Sequence, residues 1–158
     1  YGPVTALGAA NDSLPYGALR EYVAHSDWQS RLVELVQESR CVVICLDETA
    51  GVVWELEYLL KSGNLRKTLF VMNPAARNAE KNMTLRRMVV QRLKSIPGES
   101  LSESCEALLG YHEPVLGFFF DEGRRAKVAV SRQFSEASYL LIVRWFLRTA
   151  MDGELQPY

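Results

Sequence analysis

Apolar residues recur along this chain at two spacings. Short continuous runs alternate with longer stretches in which the apolar positions follow a helical repeat. "PVTALG" (3–8) is a short apolar run closed by glycine, and it predicts a first strand. "AANDSLPYG" (9–17) is rich in turn residues and predicts a loop. "ALREYVA" (18–24) alternates, with Leu19, Glu21 and Val23 opposing Arg20 and Tyr22, and predicts a second strand. "SDWQSRLVELVQESR" (26–40) is the clearest helix: Ser26 and Gln29 match a capping box, and Trp28, Leu32, Leu35 and Val36 share one face.

"CVVICL" (41–46) is unbroken and β-branched, as in a central strand covered on both faces. Thr49 is placed to cap the next helix, which carries Val52, Val53, Leu56, Leu59 and Leu60 on its core side and ends at "SGN" (62–64). "KTLFVMN" (67–73) predicts a third buried strand stopped by Pro74. A basic helix follows over 79–96, then a polar loop over 97–106 with a short helix reaching Leu109. "PVLGFFFDEGRRAKVAVS" (114–131) predicts a hairpin turning at Asp121 to Arg124, and 134–150 predicts a terminal helix.

Strands alternating with helices and ending in a hairpin favour the α/β class. The expected architecture is a three-layer sandwich with a mainly parallel central sheet, completed by the C-terminal β-hairpin and helix. The chain has 158 residues, a length that suits one domain spanning 1–158 with a genuine core.

The formal net charge of −1 gives no general attraction to nucleic acid or to a membrane. Charge is unevenly spread: residues 61–94 hold nine Lys or Arg and one acid, Glu80, while 95–122 hold six acids and no base. This is either a solvated helix face beside acidic loops or a basic surface for a headgroup, a phosphate or an acidic partner. Cys41 and Cys45 lie about 13 Å apart in an extended strand at ~3.3 Å per residue. That is too far for a disulfide. With Cys105 alone, the cysteines suit a reduced cytoplasmic protein. His25 and His112 are far from each other and from the cysteine pair, so no metal site is expected. The chain opens Tyr-Gly-Pro-Val without an initiator methionine, has no signal peptide and has no membrane-length apolar run. It reads as a fragment of a longer chain, and any membrane spans of the parent would lie outside it.

The stretch "CVVICLDETAGVVWELEYLL" (41–60) carries the candidate chemistry. Ligands of open α/β sheets bind beyond the carboxyl ends of the strands, and the loop Asp47–Gly51 sits at such an end. Gly51 allows a tight turn or close approach of a ligand, and the following helix start offers free N–H groups to an anion. At ~100° per residue, Glu55 falls about 40° beyond the Leu59 edge of the apolar arc. Glu55 is therefore either a solvated acid at the border of the buried face or a carboxylate facing a cleft.

The pattern of apolar strand, then Asp47-x-x-x-Gly51-x-x-x-Glu55 opening a helix, resembles the nucleoside deoxyribosyltransferases. It also resembles the Toll/interleukin receptor (TIR) domains that cleave NAD. Together with "ALG…LPYGALREYV", "DW" and "LFVMNPA", it is similar to the soluble domain of bacterial membrane proteins of TIR-like fold. This resemblance covers roughly residues 4–75 and implies a TIR-like, flavodoxin-like sheet. It also implies that Glu55 is catalytic, acting at an N-glycosidic bond by stabilising oxocarbenium character on the ribose or as nucleophile. Asp47 would bind a ribose hydroxyl, with Gly8 beside it. Tyr16, Arg20 or Tyr22 would stack on a base or meet a phosphate, and Gly51 and Trp54 complete the substrate-binding set. No cofactor is implied, since NAD or another nucleotide would be the substrate.

Two functions follow. One is an enzyme, an N-glycosidase or transferase acting on NAD or a nucleoside. The other is a non-catalytic cytosolic module of a bacterial membrane protein that binds a nucleotide or self-associates to signal. The last helix bears on the choice, because Tyr139 to Val143 and Trp145 to Leu147 make it apolar nearly all round. Such a helix is either wedged in the core or covered by a second subunit.

Overall fold

The computed structural model describes residues 5–8, 19–22, 26–96 and 101–151. The chain divides into two compact units, Tyr1–Arg40 and Cys41–Tyr158. The first contains β1 (Thr5–Gly8), β2 (Leu19–Tyr22) and α1 (Trp28–Glu38). β1 and β2 run parallel, with Ala6 beside Arg20 and Gly8 beside Tyr22. Arg31 of α1 grips Glu21 of β2 with a two-pronged contact, Nε to Oε1 at 2.6 Å and Nη2 to Oε2 at 2.9 Å. The guanidinium hydrogen bond holds the Glu21 carboxyl below the usual range. The capping box expected at Ser26 and Gln29 does not form. Asp27 occupies the cap position with helical backbone angles and makes no side-chain cap bond.

The second unit contains β3 (Val42–Leu46), α2 (Ala50–Lys61), β4 (Thr68–Met72), α3 (Ala79–Leu93), α4 (Ser102–Gly110), β5 (Val115–Phe120), β6 (Ala126–Val130) and α5 (Glu136–Met151). Its sheet has the order β3-β4-β5-β6. Only β3 and β4 are parallel; β4–β5 and β5–β6 are antiparallel. The class is α/β, as expected, but the sheet is mixed where a mainly parallel one was expected.

The reversal at β5 has a local cause. One helix between strands carries the chain back to the starting end and gives a parallel pair. Here α3 and α4 both lie between β4 and β5, so the chain re-enters the sheet at the end where β4 finished. Asn82 of α3, fully buried, fixes that point. Its Nδ2 donates to Ala76 O, just past β4, at 3.2 Å, and to Val115 O, at the start of β5, at 2.7 Å. Its Oδ1 accepts from Val115 N at 3.0 Å. One turn further along α3, Arg86 is 2% exposed. Its Nη1 donates to Leu108 O and Tyr111 O, at 2.9 and 3.0 Å, where α4 ends. A cation at a helix C-terminus meets carbonyls that have no intrahelical donor. Arg86 is thus a core residue, although it belongs to the basic run of 61–94. Another member of that run, Arg66, pairs with Glu122 of the acidic run at 2.8 Å.

α5 packs on the sheet face that carries Leu69, Val71 and Phe119, burying Ile142 and Phe146 against them. Gly117 makes this seat possible. A Cβ there would stand 2.6 Å from Phe70 O and 2.8 Å from Ile142 Cδ1, so only glycine fits. The register shifts between Val115 and Gly117, a bulge that turns Leu116 into the same cluster. Residues of the other parity are buried too, with Phe70 and Phe118 stacked at 5.0 Å and Phe120 edge-on to both.

β3 is an edge strand of this sheet, and Val43 on it is 55% exposed. The expected central strand covered on both faces is therefore not what this unit shows, because α5 covers β4 and β5. The last helix divides its apolar side chains: Ile142 and Phe146 are buried, whereas Leu140, Leu141 and Trp145 are exposed. Among the described residues no helix is long and apolar enough to cross a membrane. None of the three cysteines forms a disulfide among the described residues.

Replacing Asn82 by leucine keeps the side-chain volume but strands both backbone groups of Val115 in a buried site. Asn82→Leu is expected to cost about 3 kcal/mol of unfolding free energy. Chemical denaturation of the variant beside the wild type measures it.

Candidate functional site

The site is built where β3 and β4 end side by side. In the parallel pair, Leu46 is level with Met72, so the next residues, Asp47 and Asn73, emerge together. Asp47 Oδ2 accepts from Asn73 Nδ2 at 2.9 Å, and Oδ1 accepts from Glu48 N at 2.7 Å. Asn73 is itself fixed. Its Oδ1 accepts from Ala75 N at 2.9 Å and caps the 3-10 turn Pro74–Arg77.

Two residues beyond Asp47 the chain enters α2. Thr49 is the N-cap, its Oγ1 accepting from Val52 N at 3.4 Å, as the sequence predicts. Ser62 ends the helix and Gly63 follows in the left-handed region at φ 74°. Leu56, Leu59 and Leu60 are buried, which sets the direction of every other side chain on the helix.

Gly51, Trp54, Glu55 and Tyr58 occupy positions i, i+3, i+4 and i+7 and so share one face. The rings of Trp54 and Tyr58 stack with centroids 5.7 Å apart and an interplanar angle of 5°. Gly51 has ordinary helical geometry, and a Cβ on it would meet no described atom within 4 Å. Glu55 is half-buried and makes no hydrogen bond or ion pair with any described residue. Burial alone pushes its carboxyl above the ordinary range. Glu57, two residues on and also half-buried, does have charged partners. It faces Arg92 at 3.4 Å and Lys61 at 3.5 Å.

A third element reaches this end of the sheet from the α5 side. Tyr139 donates its hydroxyl to Met72 O at 2.6 Å. Burial, then the neighbouring Cys45, push the phenol up to about 12. Desolvation and the nearby Asp47 likewise push the Cys45 thiol up, away from the thiolate form.

Of the residues singled out in the sequence, Asp47, Gly51, Trp54 and Glu55 thus lie on one strand-end loop and helix. Gly8 and Arg20 lie on β1 and β2 of the other unit, and Tyr16 falls outside the described residues. The sequence reading missed Asn73, Tyr58 and Tyr139. Asn73 had a signal, since Asn before Pro initiates turns. Tyr58 had one as well, at helical spacing from Trp54 and Glu55.

The raised pKa of Glu55 has a thermodynamic consequence. An acid whose folded pKa lies above its unfolded value stabilises the fold fully below the unfolded value, about 4.3. That contribution is lost as pH rises through the folded value. Glu55→Gln never ionises and escapes this loss. Thermal melts should therefore coincide below about pH 4, and the variant should melt higher than the wild type at pH 7.

Comparison of the chain with known protein families, characterised proteins and solved structures finds no match.

Proposed function

We propose that this chain is a nucleotide-binding TIR-like domain in which Glu55 acts at an N-glycosidic bond of NAD or a nucleoside. The observation that carries the reading is the state of Glu55, half-buried, unpaired among the described residues and raised in pKa. Surface acids seldom combine these features, whereas groups that do chemistry often do. The neighbouring Asp47, the clearance from other described atoms at Gly51 and the paired rings of Trp54 and Tyr58 support a sugar and a planar base beside it. A three-layer arrangement is supported by α5 on one sheet face and by α2, which contacts β3 and α3, on the strand side chains of the other parity. The lack of a disulfide among the described cysteines is in keeping with a cytoplasmic location.

In the proposed reaction the bond from the ribose C1′ to nitrogen breaks and its electron pair leaves with the base. Nicotinamide leaves NAD as a neutral group and needs no proton; a nucleoside base must take one up. Positive charge grows on the ribose ring. Ionised Glu55 stabilises it through space or captures C1′, after which water or a second acceptor completes the transfer. No described cation spends that charge in the resting site.

Because the ionised form acts, turnover should rise with pH along an acidic limb set by Glu55. Its midpoint is expected above the ordinary glutamate value of about 4.3. Incubating the chain with NAD, and separately with nucleosides, over a range of pH tests this. Glu55→Gln should lower the rate at least about a hundredfold while leaving the circular dichroism spectrum intact. Equal rates in the two proteins would sink the reading.

A second reading, a non-catalytic module that self-associates to signal, is favoured by one specific observation. Leu141 at 67% exposure, with Leu140 and Trp145, leaves an apolar strip on α5. On that reading the chain assembles as its concentration rises, and Leu141→Glu abolishes assembly. Sedimentation that shows a monomer at all concentrations would remove this alternative.

A further inference from the structure

We propose that Asn73 is the positioning residue for Asp47, and that the pair selects a ribosyl group over a 2-deoxyribosyl group. The proposal rests on the reading of the Glu55 face as the place where an N-glycoside binds.

Asparagine has a donor end and an acceptor end that local geometry can fix. Here Ala75 N–H takes the oxygen of Asn73 at 2.9 Å, because the turn after β4 needs a cap. The NH2 group has no choice but to face the other way, towards β3. It meets Asp47 Oδ2 at 2.9 Å. The in-line pairing of Leu46 with Met72 makes this meeting a consequence of the parallel register.

The carboxylate is then held at both ends. Oδ1 takes Glu48 N–H at 2.7 Å and Oδ2 takes the Asn73 amide. An ionised carboxylate offers about four acceptor directions, two per oxygen. One direction on each oxygen is used by the chain, and one on each is left. Two acceptors side by side match two neighbouring hydroxyl donors. The 2′- and 3′-hydroxyls of ribose form such a pair, and 2-deoxyribose has only one of them.

The choice of partner matters as much as its position. Arginine or lysine at 73 would also orient Asp47, but it would cancel the charge. A neutral amide leaves the charge of a carboxylate uncompensated, so each hydroxyl bond it accepts is charge-assisted and stronger than a neutral one. A site built to bond a hydroxyl rejects an analogue that lacks it, because the polar atom facing it goes unpaired. Asp47 is half-buried, so this discrimination is moderated by solvent.

The test is a binding titration of the full chain with adenosine and with 2′-deoxyadenosine, followed by calorimetry or NMR shifts. The wild type is expected to bind adenosine about tenfold tighter, the weight of one charge-assisted hydrogen bond partly exposed to water. Asn73→Asp keeps a capping oxygen for Ala75 but turns an acceptor towards Asp47. It should bring the two affinities within about twofold of each other. Asn73→Ser, which keeps a short cap but is too short to reach Asp47, should do the same; circular dichroism confirms that both are folded. Equal affinities in the wild type overturn the selection and leave the assignment of Glu55 standing. A tenfold preference that survives in both variants overturns the role of Asn73. If neither nucleoside binds the wild type, this proposal and the reading of the site fall together.

Discussion

The larger unit of this protein depends on one helix presenting two polar side chains inward. Asn82 and Arg86 lie a turn apart on α3, on the same face as Leu85, Val89 and Leu93. Each satisfies backbone groups that would otherwise be buried without partners. A primary amide has the same donor and acceptor as a peptide, so Asn82 pairs with Val115 as a strand neighbour would. Arg86 closes the end of α4. Between the two anchors runs the short connection from α4 into β5, so both of its ends are tied to α3. That fixes where β5 enters the sheet, and entry fixes direction. With β5 antiparallel, Gly117 comes level with Val71 and opens the space that Ile142 fills, which seats α5. The cost of burying these polar groups is offset by the carbonyls and amides they meet, although Arg86 Nε is buried without a hydrogen-bond partner among the described residues; removal of either residue leaves several orphans at once.

Much of this was legible in the sequence because much of it is local. Thr49 and the Ser62–Gly63 pair mark both ends of α2 by side-chain and backbone chemistry that acts within a turn or two. The uninterrupted apolar run before Pro74 is a strand buried at every position, and the aromatic run around Gly117 is another. Strand direction was not legible. Side-chain alternation is the same in parallel and antiparallel pairs, so only the number of helices between β4 and β5 could decide it. The second of those, α4, lies in a polar stretch that reads more as a loop. The two inward polar residues of α3 were hidden for a related reason. Asn82 and Arg86 sit at core positions of the helical repeat, but their polarity argues for the surface until their partners, 22 to 33 residues away, are known. The Ser26–Gln29 motif failed in the opposite direction. A local pattern was present, but the helix begins with Asp27 already in helical geometry.

The candidate site divides along the same line. That Glu55 stands at the border of a buried face follows from ~100° steps along α2, and its half-buried state agrees. That it has no described partner does not follow from spacing. Glu57, an identical side chain two residues on, is paired with Arg92 from another helix. The tether of Asp47 to Asn73 joins residues 26 apart, which only the parallel register brings together. Gly8 and Arg20 were gathered into one set with these residues by resemblance, and the structure holds them in a separate unit.

The way each acid is held separates the roles these side chains are suited for. Glu57 is compensated by Arg92 and Lys61, and its charge is spent on packing helices together. Asp47 is held by two neutral donors and keeps its whole charge. Glu55 is held by none that the structure describes, and burial makes its charge costly. Uncompensated carboxylates repel phosphate and attract hydroxyl donors and developing cations. On the proposed reading they would face the sugar and the reacting bond of a nucleotide, with the phosphates pointing elsewhere. On that reading Asp47 would contribute in the ground state, since a hydroxyl is present throughout the reaction, and Glu55 would contribute most once positive charge appears on the ring. An interaction that strengthens only as the transition state forms accelerates a reaction, whereas one of constant strength merely binds. The asymmetry between a tethered acid and an untethered, buried one is what such a division of labour requires.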